Sequence, residues 1–165
     1  MPHPHETASR MNDPGAGDIA CIGAALRRTA NLVTRIYNAY LAPSGLEVTQ
    51  YSILRKIEAG RAGSASELAE IVGVERSTLA RNLERLEKLG LIVARPGEGR
   101  RLVHELTAEG EARLAAAIPL WRQAQEALVK ALPPDHAGTI FGELALLRAA
   151  ARAASRPAEE TVHGS

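Results

Sequence analysis

SASELAEIVGVERSTLARNLERLEKLGLIVARPGEGRRLVHELTAEG, residues 64–110, is the stretch in which the hydrophobic period changes. It opens on Ser64-Ala65-Ser66-Glu67, a capping-box pattern in which the Ser64 hydroxyl accepts from the Glu67 backbone N–H and Glu67 reaches back. The spacing predicts a short helix carrying Leu68, Ala69, Ile71 and Val72, a turn at Gly73, and a further helix over 75–89 stopped by Gly90. On that helix Leu79, Leu83 and Leu86 share one face; Ser77, Arg81, Glu84, Arg85 and Lys88 lie opposite, with Thr78 at the flank. Short helix, glycine turn and amphipathic helix make a helix-turn-helix pattern. The period then falls to two. Residues 91–95 read as a strand and 102–106 as its partner, joined by the glycine-rich basic tip Pro96-Gly97-Glu98-Gly99-Arg100-Arg101. A hairpin placed directly behind such a helix is a wing.

Outward from this stretch the chain reads as helices. Residues 1–17 hold Pro, Gly, His and polar side chains without periodicity, and are expected to form a disordered tail. Asp18 reads as an N-cap for a helix over 19–41, with Leu26, Ala30, Val33, Tyr37 and Tyr40 in one stripe, ended by Pro43 and Gly45. A helix over 49–58 follows, capped by Thr49, with Ile53, Leu54 and Ile57 turned inward. Beyond the wing, Thr107 caps a helix over 108–131 that is expected to bend at Pro119. Pro133-Pro134-Asp135 separates it from a last helix over 136–153, whose apolar face is Ile140, Phe141, Leu144 and Leu147; residues 154–165 form a second tail. The terminal helices are too few for a core of their own, so their stripes call for a partner, and a second copy of the chain is the simplest one. The expected fold is mainly α with a small β-hairpin wing (α+β). A winged helix-turn-helix lobe, 46–106, is inserted in a helical dimerisation module built from 18–45 and 107–153.

Composition agrees with one aliphatic, helical domain: 165 residues, 45% hydrophobic, 24% charged and only 3% aromatic. No apolar run reaches the ~18 residues of a membrane span. The first residues lack the basic start and apolar stretch of a signal peptide, and one cysteine excludes an intrachain disulfide. A soluble, cytoplasmic protein is expected. The net charge of +1 decides nothing about nucleic acid, since a small arginine cluster can act while the rest cancels. The histidines at 3, 5, 104, 136 and 163 are scattered, with no helical pairing. No phosphate-binding glycine loop and no supported Ser/His/Asp set is visible. The expectation is therefore no metal, no cofactor and no catalysis.

From residue 18 to about 150 the order of elements resembles the MarR family of bacterial regulators. The resemblance is carried by 45–54 at the entry to the second helix and by Glu67-Leu68-Ala69 through 77–92 in the helix-turn-helix. It is carried too by the wing and exit, Glu98-Gly99-Arg100-Arg101 through Leu106-Thr107-Ala108-Glu109-Gly110. Glu98 stands where the family usually has an Asp that pairs with the wing arginine. The resemblance implies a triangular dimer, promoter binding, and release by a small ligand or an oxidant.

Site residues follow from this frame. The N-terminal half of the recognition helix enters the major groove of double-stranded DNA, which selects Arg76, Ser77, Thr78, Arg81, Asn82 and Arg85. An arginine bridges guanine O6 and N7, and an asparagine pairs with adenine. Arg100 at the wing tip suits the minor groove or its phosphates, and Arg101 and Arg95 suit phosphate or an internal ion pair. Ser66, with Ser64, stands at a helix N-terminus. Tyr37, Tyr51 and Trp121 lie on helices that flank the family's ligand pocket; with Arg28 or Arg27 nearby they would suit an aromatic carboxylate. The plainer alternative has these rings filling the core. Cys21, placed in the first helical turn, is a redox candidate, with a small apolar packing role as its alternative. Other readings of the whole are a winged-helix protein-interaction module without DNA binding, which has no need of Arg81 and Arg100 together, and a non-specific architectural binder, which would carry more charge.

Overall fold

Among the described residues, several helix ends are set by glycine turns and side-chain caps. A computed structural model describes residues 21–60, 64–97 and 102–155. Helix α1 (Ile22–Leu41) runs into a single 3-10 turn, Ala42–Ser44, closed by Gly45 at φ 70. Helix α2 (Val48–Glu58) follows, then α3 (Ala65–Val72) and α4 (Arg76–Lys88). Strands β1 (Ile92–Pro96) and β2 (Leu102–Leu106) pair antiparallel, with Ile92 opposite Leu106 and Arg95 opposite Val103. Helices α5 (Ala108–Ala131) and α6 (His136–Ala154) complete the chain. This is the expected winged helix-turn-helix among helices.

Several boundaries differ from the sequence reading, each for a hydrogen-bonding reason. Helix α1 begins at Ile22 rather than 19; Cys21 occupies its N-cap without a side-chain cap bond, and Asp18 lies outside the described residues. Thr49 is inside α2, not its cap. Glu47 takes that position, because its N–H is accepted by Gln50 Oε1 at 3.0 Å and the N–H of Val48 by Asn38 Oδ1 of α1 at 2.8 Å. Leu91 lies in the turn between α4 and β1 instead of in the strand: its N–H donates to the Leu86 carbonyl at 3.0 Å, and its own carbonyl accepts from Thr107 N–H at 3.1 Å. Helix α5 continues through Pro119 to Ala131. The Ser64 and Thr107 caps stand as read, their hydroxyls accepting from the N–H groups of Glu67 and Gly110.

The core lies where α2, α3 and α4 meet the start of β1, the C-terminal end of α1 and the first half of α5. Leu41, Ile53, Leu54, Leu68, Leu79, Leu86, Leu91 and Leu114 are fully buried there. Burying each such side chain contributes about 2 kcal/mol relative to exposure. Gly110 is part of the same contact, since a Cβ on it would sit 1.9 Å from the Leu91 carbonyl oxygen. The stripe read on α1 is only partly covered: Val33 and Tyr37 are half-buried, whereas Leu26, Ala30 and Tyr40 are exposed. Helix α6 has no buried residue, and Phe141 and Leu146 on it are 65% and 66% exposed. No helix among the described residues is long and apolar enough to cross a membrane.

Candidate nucleic-acid interface

The turn into α4 is made by Gly73, at φ 80, whose N–H reaches the carbonyls of Ala69 and Glu70. That left-handed turn suits glycine, and it sets α3 and α4 at an angle with Leu79, Leu83 and Leu86 turned into the core. At ~100° per residue, Ser77, Arg81, Glu84 and Lys88 then fall along one outward line. Thr78, Asn82 and Arg85 fall on one flank of that line, and Arg76, Ala80 and Glu87 on the other.

Arg76, Ser77 and Arg81 are exposed at the N-terminal half of the helix. Arg81 Nη2 donates to Thr78 Oγ1 at 3.2 Å, which leaves the other N–H donors of its guanidinium available. Asn82 is half-buried, and its amide donates to the Thr78 carbonyl at 2.9 Å. In this arrangement it is turned toward its own helix, whereas Arg76, Ser77, Arg81 and Arg85 are exposed. Lower on the line Lys88 pairs with Glu84 at 2.6 Å, and the lysine's hydrogen bond and charge hold the Glu84 carboxyl below the usual range. Arg85 pairs with Glu47 at 3.3 Å, and Glu87 meets His104 of β2 at 3.3 Å. Ser66 is exposed in the first turn of α3 beside the Ser64 cap. Arg95, on the wing, makes an ion pair with Glu105 at 2.8 Å. Arg100, Arg101 and Glu98 lie outside the described residues.

Behind this surface, Tyr37, Tyr51 and Trp121 come together across α1, α2 and α5. Trp121 stacks on both tyrosines, with ring centroids at 6.4 Å from Tyr37 and 5.8 Å from Tyr51. The Tyr37 hydroxyl donates to Gln125 Oε1, and burial pushes both tyrosine hydroxyls above their usual pKa, so each stays a neutral donor. Arg28 is not part of this group. It lines a groove along α1 with Asn31, Leu32, Thr34 and Arg35, because nine residues of helix separate it from Tyr37 by ~13 Å. A second groove, of about 450 Å³, lies between the 3-10 turn and α5, where Arg113 reaches the Ser44 carbonyl at 3.4 Å and Glu109 at 2.7 Å. Cys21 is exposed. No group of three or more metal-ligating side chains occurs among the described residues.

Glu47, Glu87 with His104, and Gln125 are contacts that reading the sequence did not single out. Gln125 stands four residues past Trp121 on α5, so helical spacing already places it on the Trp121 face. Glu47 and Arg85 are 38 residues apart, and no local pattern joins them.

Comparison with known proteins gives one family. The family model described as MarR family matches residues 44–102. The HTH-type transcriptional repressor NicR of Pseudomonas putida is 30% identical over 129 residues, covering 77% of this chain and 80% of NicR. The transcriptional regulator MosR of M. tuberculosis, solved in complex with DNA, superposes with a TM-score of 0.73 at 37% identity, over 82% of this chain and 99% of MosR. A Mycobacterium tuberculosis MarR family protein solved with salicylic acid gives a TM-score of 0.61 at 26% identity, over 79% and 98% of the two chains.

Proposed function

The chain belongs to the MarR family of DNA-binding transcriptional regulators, and from that premise we propose that it is a homodimeric repressor, released from a pseudo-palindromic operator by a small aromatic acid. The observation that carries the DNA half of the proposal is the outward line of α4. Arg76, Ser77 and Arg81 stand exposed on an amphipathic helix whose opposite face is locked into the core, immediately ahead of a two-stranded wing. A helix held this way offers donors to base edges without having to reorganise. Two copies joined through α1, α5 and α6 present their helices ~34 Å apart, one turn of duplex, which requires an inverted repeat. Binding at a promoter blocks polymerase, and NicR bears the name repressor.

Support for an aromatic-acid effector comes from the neighbour solved with salicylic acid and from the ring cluster of Tyr37, Tyr51 and Trp121. The cluster joins α1, α2 and α5, the helices that connect the terminal elements to the DNA-reading lobe. A ligand that separates these rings favours a different spacing of the two lobes, and it shifts DNA affinity only by its differential affinity for the two states.

The test is selection of bound sequences from a random duplex pool, with Arg81→Ala in parallel. The wild type is expected to enrich an inverted repeat. Arg81→Ala is expected to bind that repeat roughly ten- to a hundredfold more weakly, the ~1–3 kcal/mol of one bidentate base contact. Absence of enrichment even at low salt contradicts DNA reading and favours the winged-helix interaction module.

A further inference from the structure

The two flanks of α4 each meet a polar side chain from another element. On one side Glu87 meets His104 of β2; on the other Arg85 Nη1 meets Glu47 Oε1 at 3.3 Å. The Arg85 pair differs in what it does to the DNA-facing surface, because it occupies a cation that phosphate would otherwise attract. Both side chains are exposed, at 62% and 53%, so the pair adds little to stability and is open to competition from solvent ions.

The backbone that carries Glu47 is held far more firmly than its carboxylate. Leu46 before it is buried, its own N–H is accepted by the fully buried Gln50, and the next N–H is accepted by Asn38 of α1. Glu47 thus has its backbone fixed at the edge of the recognition helix, with an exposed carboxylate that meets Arg85. A duplex carries one phosphate charge per ~1.7 Å of its axis. Any approach of α4 to DNA therefore sets phosphate against the Glu47 carboxylate for the same guanidinium.

We propose that Glu47 is a positioning residue that holds Arg85 off phosphate: it withholds Arg85 from the phosphates of unspecific duplex and yields it only where base contacts by Arg81 and Ser77 hold the helix close. The proposal rests on the reading of α4 as the DNA-recognition helix. On unspecific DNA the pair stays closed, and the protein makes one phosphate contact fewer than its arginines permit. On the operator the guanidinium transfers to phosphate, because the helix is already anchored beside it.

The experiment titrates wild type, Glu47→Gln, Arg85→Ala and the double variant with the selected inverted repeat and with a scrambled duplex of equal length, across a salt series. Glu47→Gln is expected to bind scrambled duplex roughly five- to tenfold more tightly near 0.1 M salt, and to steepen its salt slope by about one. Its affinity for the inverted repeat is expected to rise by at least as much, because the variant has no pair to break there, while its salt slope on the repeat stays as in the wild type. In the Arg85→Ala background the Glu47→Gln gain on scrambled duplex should largely disappear. A general charge effect would keep that gain with or without Arg85, and this result overturns the proposal. An unchanged slope for Glu47→Gln on scrambled duplex overturns it as well. If the wild type binds neither duplex, the DNA reading itself has failed and the proposal falls with it. Wild-type binding with no Glu47 effect sinks the proposal alone.

Discussion

At the scale of single residues, Gly110 is the position that tolerates least. It opens α5 directly against Leu91, and a methyl group there would lie 1.9 Å from the Leu91 carbonyl oxygen and 2.9 Å from its carbon. Neither atom belongs to a flexible side chain. The Leu91 carbonyl is already engaged by Thr107 N–H, and Leu91 itself is fully buried, so relief requires moving the junction between the wing and α5. Gly110→Ala is therefore expected to lose about 3 kcal/mol of stability. Urea unfolding checks this: the midpoint should fall while the slope stays unchanged, and a midpoint within error of wild type would show that the junction moves freely. The reading residues of α4 behave differently. Arg81 and Ser77 are exposed, and replacing them should alter DNA affinity while leaving the urea midpoint in place.

At the scale of elements, caps and cross-element bonds fix where each helix starts. The Thr107 hydroxyl accepts from Gly110 N–H at 3.0 Å and donates to the Gly90 carbonyl at 2.5 Å, so it fastens α5 to the end of α4. Among the described residues the Ser64 hydroxyl makes the local bond to Glu67 N–H, at 3.1 Å. Ser64→Ala is expected to cost about 1 kcal/mol and Thr107→Ala about 2 kcal/mol, because the second also leaves the Gly90 carbonyl without that donor. Equal losses in urea would mean that the Gly90 bond contributes nothing. These two caps were legible in the sequence, since a cap is a pattern within four residues. The helix-turn-helix and the wing were legible for the same reason, their periods of 3.6 and two being local. The start of α2 was not. Thr49 has the better capping side chain, but Asn38 of α1 and Gln50 supply the bonds that select Glu47, and Asn38 is ten residues away. The site divides along the same line. Arg76, Ser77 and Arg81 could be read from one helix, whereas the engagement of Arg85 by Glu47, the inward turn of Asn82 and the separation of Arg28 from the ring cluster depend on where other atoms come to rest.

At the scale of the whole molecule, the unmet apolar surface is distributed by element. The lobe from α2 to β2 closes over a core completed by the end of α1 and the first half of α5, yet α6 buries no residue, and Ile22 and Leu32 on α1 are 61% and 52% exposed. Phe141 and Leu146, on different faces of α6, have no cover among the described residues. A second copy is the occupant proposed above, and it can be tested without DNA. Phe141→Glu places a charge where the two copies would meet and is expected to convert a dimer into a monomer, read as a halved mass by light scattering. Leu102→Glu is the comparison: Leu102 is 61% exposed at the base of the wing, away from the terminal helices, and this variant should remain dimeric. Should both variants keep the wild-type mass, Phe141 would not lie at the interface. If both became monomeric, the effect would belong to added charge rather than to α6. The consequence for DNA follows from counting helices. A monomer brings one α4 to the duplex, so Phe141→Glu should bind the inverted repeat with roughly half the salt slope of the dimer, having released roughly half the counterions. It should bind an isolated half-site as the wild-type lobe does, because every residue of α4 and its core contacts is unchanged.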